Sequence, residues 1–162
     1  MFSQLNTKRV HHKILLFLFL IVVALGPVRI TAFAFQSSPA AEEETAKKIK
    51  LAYIQHEMIL LLIENKNFDR VEVEWKKVLD LRLGAKFEKP IAESLLDIGY
   101  KLSEAKQLSL AQKLLDESLA AVPFSNKSKA DILTFKAYLY KETGDLDNAI
   151  KTLRQATELA DK

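Results

Sequence analysis

Outside the first 41 residues a single imidazole, His56, remains for acid–base or metal chemistry, because His11 and His12 both lie near the start. There is no cysteine, which excludes thiolate nucleophiles, disulfides and cysteine-bearing metal sites. One histidine does not make a typical zinc site, and no serine sits in a nucleophile motif. Carboxylates do come in groups: Glu42 to Glu44, Glu72 with Glu74, and Asp145 with Asp147. Paired acids alone do not specify hydrolysis, and these fall on helix starts or solvated faces, where acids complement the helix dipole and water. The expectation is no catalytic residue, no cofactor and no metal, with His56 a partly exposed helix residue.

Whatever positions these residues is helical. The chain holds only four Gly and four Pro. The breakers beyond the first 41 residues fall at Gly84, Pro90, Pro123 and Gly144, and no strand-like alternation lies between them. Six helices are predicted near 43–64, 67–83, 89–104, 108–121, 127–143 and 146–160. Glu43 with Lys47 and Glu44 with Lys48 stand one turn apart, Pro90 suits a first helical turn, and Asp145 can cap the last helix.

The helices recur in register. Ile59, Gly99 and Ala137 form one column; Leu62, Leu102 and Tyr140 a second; Val71, Ala111 and Ala149 a third; Trp75, Leu115 and Leu153 a fourth; Val78, Ser118 and Ala156 a fifth. Every column is spaced by 40 and then 38 residues, so five independent positions agree on one alignment. The period lies in the range of helical solenoids. Small side chains such as Gly99, Ala111, Ala137 and Ala149 let helix axes approach closely, while Trp75, Leu115 and Leu153 fill the space one turn further along.

The segment Ala-Tyr-Leu-Tyr-Lys-Glu-Thr-Gly-Asp-Leu-Asp-Asn-Ala-Ile from Ala137 to Ile150, continuing to Leu153 and Ala156, resembles the core of a tetratricopeptide repeat. The middle copy is similar, with Leu95, Ile98, Gly99, Leu102, Ala111, Leu115 and a terminating Pro123. The first keeps Asn67-Phe68-Asp69 at its turn but has Val71 and Val78 where the family prefers alanine. The resemblance implies an all-α chain, a right-handed α-solenoid of about three antiparallel helix pairs over residues 43–162, with repeats near 52–85, 92–125 and 130–162. The family repeat is about 34 residues, so the spacings imply about six extra residues near Gly84 to Lys89 and about four near Ser125 to Ser128. Lys66 and Lys106 stand where the third copy has Gly144, Ser118 replaces an alanine, and Asp161 replaces the closing proline.

In that family the first helix of each pair lines a concave surface. Carried over residue by residue, the groove is Tyr53, His56, Leu60 and Glu64; then Glu93, Leu96, Tyr100 and Glu104; then Asp131, Thr134, Tyr138, Lys141 and Glu142. The packing set is Ile59, Val71, Trp75, Gly99, Ala111, Leu115, Ala137, Gly144, Ala149, Leu153 and Ala156. What the resemblance implies is a non-catalytic module binding a protein or peptide partner, with no small-molecule substrate. A structural or assembly component of an envelope complex, and an accessory subunit of an enzyme, are the alternatives. The apolar face of the last helix, with Ile150, Leu153, Ala156 and Leu159, is expected to be partly open and available to a second copy.

Residues 1–34 resemble a secretory signal peptide. Lys8, Arg9 and Lys13 precede an apolar run from Ile14 to Leu25, and Ala32-Phe33-Ala34 offers small residues for cleavage after Ala34. Residues 35–42 would then be a flexible linker, and the product periplasmic or extracellular. The competing expectation is a retained anchor over residues 14–35, with membrane association only in that case. Four of the 24 basic residues lie before the cut, leaving 20 against 21 acidic ones. No basic footprint remains for nucleic acid.

Overall fold

The computed structural model describes residues 39–161, and the expected signal segment lies outside them. Six α-helices follow one another: α1 Pro39–Glu64, α2 Val71–Asp80, α3 Glu88–Glu104, α4 Leu108–Ala121, α5 Asn126–Glu142 and α6 Leu146–Ala160. Among the described residues there is no strand. Short 3-10 turns, Phe68–Arg70 and Ala85–Phe87, lead into α2 and α3. No helix of the described residues is long and apolar enough to cross a membrane.

Helix ends differ from expectation chiefly at α1 and α2, and α2 begins at Val71 rather than 67 because Phe68–Arg70 form a 3-10 turn. α1 begins at Pro39, so residues 39–42, expected as linker, form its first turn; Pro is preorganised for that place because the missing N–H would be unbonded there anyway. Glu43–Lys47 and Glu44–Lys48 pair along its surface at 2.8 Å each. α2 ends at Asp80 rather than 83, because Leu81 and Arg82 turn their N–H groups back to Val78 and Leu79 and Arg82 adopts a left-handed φ of 48°. At α6 the Asp145 side chain accepts from the Asn148 N–H at 3.2 Å, the cap that its position suggests.

The repeat register is written in the backbone. Lys66, Lys106 and Gly144, spaced by 40 and 38, all have positive φ, at 56°, 61° and 83°. Each donates its N–H three residues back, to Ile63, Ser103 and Lys141, and the following residue donates to Leu62, Leu102 and Tyr140 at 2.8, 2.8 and 2.9 Å. This is the same Schellman closure three times, using a left-handed residue to satisfy the last carbonyls of the first helix in each pair. Gly144 belongs to this turn and is exposed, with nothing within 4 Å of where a Cβ would stand. Its place in the expected packing set is thus corrected: glycine is there for its backbone.

Within each pair the helices pack as hairpins, α1 on α2, α3 on α4 and α5 on α6. Ile59, Gly99 and Ala137 are all buried, as are Val71, Ala111 and Ala149, and Val78, Ser118 and Ala156. Trp75 and Leu115 are wholly buried, but Leu153 in the same column is 46 % exposed. That too is a correction, and its reason is geometric: α2 and α4 each meet a following helix pair, whereas α6 meets only α5 among the described helices. Trp75 also donates its indole N–H to Ser118 Oγ at 2.9 Å, and Ser118 donates to the Leu114 carbonyl, so the hydroxyl in the alanine column serves as a buried acceptor.

Candidate functional site

The first helices of the three pairs lie side by side, α1 on α3 and α3 on α5. Their register sets Tyr53 with Glu93 and Asp131, His56 with Leu96 and Thr134, Leu60 with Tyr100 and Tyr138, and Glu64 with Glu104 and Glu142, all on one face. Tyr53, Tyr100 and Tyr138 are exposed at 64, 53 and 41 %. The three glutamates and Thr134 are exposed as well, while Leu60 and Leu96 are half-buried against the core.

An aromatic cluster unites the second and third copies. Phe135, almost fully buried, lies with its ring centroid 4.2 Å from that of Tyr100 and 5.9 Å from that of Tyr138. Gly99 makes room for it, since a Cβ there would stand 2.5 Å from the Phe135 ring. Tyr138 stacks on Phe135 and Tyr100 is tilted against it, so both exposed rings rest on a buried platform, which lowers the entropy cost of ordering them on a ligand. Phe135 stands between Thr134 and Lys136, where nothing in the sequence marks it; the signal that could have found it was Gly99, the small residue on the neighbouring helix that meets its ring.

His56 bridges α1 to α3. Its Nδ1 lies 2.6 Å from Ser94 Oγ and its Nε2 3.2 Å from Asp97 Oδ2. Serine, histidine and aspartate in contact are the groups of an acyl-transfer site, but Ser94 sits inside α3, where backbone N–H groups are committed to the helix ladder. The trio ties two helices together. Among the described residues no group of three or more His, Asp or Glu side chains gathers as a metal site.

Beside this bridge opens a cavity of about 580 Å³. Ile49, Ala52 and Tyr53 of α1, Val78 of α2, and Leu83, Phe87, Pro90 and Ile91 make its apolar wall; His56, Glu57, Glu93, Ser94 and Asp97 edge it. The connections explain its position. Residues 81–87 join α2 to α3, while only 122–125 join α4 to α5. The shorter link, which carries the buried Phe124, lets α4 pack on α5; α2 and α3 do not meet, so the space between them stays open. The extra residues foreseen near Gly84 thus build a wall of the site, with Leu83 and Phe87 as its lining.

A second buried polar centre lies on α2. Glu74, 3 % exposed, accepts from Lys77 at 2.7 Å and Arg70 at 3.2 Å, and also from Gln55 of α1. The bond from Lys77, with that from Arg70, holds its carboxyl below the usual range against the opposing effect of burial. On the surface, Lys113 reaches Glu72 at 2.6 Å, which raises the ammonium above its ordinary value.

Residues 130–162 match the family model described as the tetratricopeptide repeat. The third helix pair is a tetratricopeptide repeat. No curated protein matches the chain, and no solved structure matches it. Tetratricopeptide repeats are generally non-catalytic modules that bind protein partners. The repeat here contributes Thr134, Tyr138 and Glu142 to the face described above, and the first two helix pairs continue that face in the same register.

Proposed function

We propose that the chain is a non-catalytic interaction module that receives a peptide or protein segment along the face of α1, α3 and α5. An apolar side chain of that segment is seated in the cavity between α1 and α3. The observation that carries this reading is the cavity itself: an apolar hollow of about 580 Å³ with Tyr53, His56 and Glu93 on its edge, at one end of a row that continues through Tyr100 and Tyr138. Pockets of this size with a few placed polar groups are where ligands are held. Glu57, Glu93, Glu64, Glu104 and Glu142 favour a segment with lysine or arginine beside its apolar anchor. Export remains part of the proposal and rests on residues 1–34 alone; amino-terminal sequencing of the product, starting at Phe35 or not, decides between cleavage and a retained anchor.

Selection from a displayed random-peptide library tests the groove. Enriched peptides are expected to pair a large apolar residue with a basic one. Their binding should fall about tenfold or more on Ala52→Trp, which fills the cavity, and on Glu57→Lys with Glu93→Lys, which reverses its rim at exposed positions. Enrichment of acidic peptides, or none at all, would contradict the reading.

A further inference from the structure

Eleven large apolar side chains are exposed on the described residues, and they divide into three sets. Ile49, Tyr53, Tyr100 and Tyr138 belong to the cavity and groove. Leu51, Ile54, Leu61 and Val73 lie on α1 and α2, and Leu146, Ile150 and Leu153 on α6. The last two sets occupy particular register positions.

Ile54 corresponds to Ser94, which reaches back to His56 of the preceding pair, and to Ile132, which is wholly buried. Val73 corresponds to Lys113, which reaches back to Glu72. Leu51 corresponds to the buried Ile91, and Leu61 to the exposed Lys101 and the buried Leu139. On α1 and α2, then, Ile54 and Val73 stand where later helices meet the pair before them. Leu153 corresponds to Trp75 and Leu115, both wholly buried, and Ile150 to Glu72, which meets Lys113 of the next pair. On α6, Leu153 and Ile150 stand where earlier helices meet the pair after them. Asp116 of α4 pairs with Lys136 of α5; their counterparts are Arg154 on α6 and Met58 on α1, with the exposed Glu57 beside Met58. Continued beyond α6, the same register would set Arg154 against Met58, whose neighbour Glu57 is exposed.

We infer that these two faces are complementary and that a second copy of the chain docks head to tail, seating α1 and α2 on α6 of its neighbour. The interface is heterologous: each copy offers one face and receives the other, so association continues into a ring or a filament. The groove tyrosines take no part; Glu57 alone is shared with the cavity rim of the peptide reading, and the inference rests on the apolar positions of α1, α2 and α6.

Sedimentation velocity on residues 39–162, whose core is built among the described residues, tests it by complementation. Between about 1 and 100 µM the wild-type mass should rise with concentration, as mass action requires. Leu153→Glu and Ile54→Glu change exposed positions, each leaves one face intact, and each alone should weaken association about tenfold or more. An equal mixture of the two should restore association but halt at a dimer, since only one good interface can form. Unchanged thermal melts confirm that both variants are folded, and Ile150→Lys serves as a second trailing-face variant. A monomeric wild type, an Ile54→Glu protein that still associates, or a mixture no heavier than its parts would overturn the inference.

Discussion

Trp75 and Leu153 hold the same place in the first and third helix pairs, yet one is wholly buried and the other 46 % exposed. The difference lies outside both residues. α2 lies against α4, which supplies Ser118 as a hydrogen-bond acceptor for the indole, whereas α6 meets only α5 among the described helices. A helical stack thus assigns one sequence position two physical roles: core where another pair follows, and contact surface where none does. The two inner junctions differ in the same spirit. Where the link is short, α4 and α5 close on each other; where it is long, α2 and α3 stand apart and leave a cavity.

The sharpest way to break this contrast is to truncate both members of the column. Trp75→Ala should destabilise by about 3–5 kcal/mol through cavity formation and a lost hydrogen bond. Leu153→Ala should cost about 0.5 kcal/mol or less in a monomer. Urea denaturation of both variants checks this, and equal losses would mean that the column does not have the two environments described. Gly99→Ala is expected to cost about 1–3 kcal/mol, because the added methyl meets the Phe135 ring and the neighbouring tyrosines must shift; thermal unfolding and tyrosine fluorescence should change together.

Glu74 distinguishes the buried polar seam of the first pair from its exposed ion pairs. Its folded pKa is depressed, so the stability it contributes is complete above the unfolded carboxylate value and is lost as pH falls through the lower folded one. Glu74→Gln should cost about 1–2 kcal/mol at neutral pH. In denaturant melts from about pH 7 to 3 the gap to wild type should narrow toward acid; a constant gap would assign the loss to packing instead.

The register was legible because hairpin contact restricts residue type at the crossing points: Gly99, Ala111, Ala137 and Ala149 are small for a local reason. Other features depend on partners distant in sequence. Leu153 reads as core because its neighbours along α6 are those of a core position, and only the stack shows that among the described helices α6 meets α5 alone. Ser94 and Asp97 become partners of His56, and Gln55 of Glu74, through helix packing that no local spacing encodes. The cavity was half visible. The 40-residue spacing announces extra residues near Gly84, but not that Leu83 and Phe87 would turn inward to line a hollow.

The smallest expected effect is a gain. Lys66 and Lys106 hold left-handed backbone that costs a side-chain-bearing residue about 1 kcal/mol, where the third copy uses Gly144. Lys66→Gly and Lys106→Gly should each raise stability by somewhat less than that, since glycine also loses more freedom on folding. Thermal unfolding of the two variants measures the gain.

That three-fold turn is also where the account is most exposed. Measuring φ at Lys66, Lys106 and Gly144 by NMR couplings and intraresidue HN–Hα distances tests directly whether three helix pairs share one register. Positive φ at all three is the predicted result, and a negative value at Lys66 or Lys106 would contradict it.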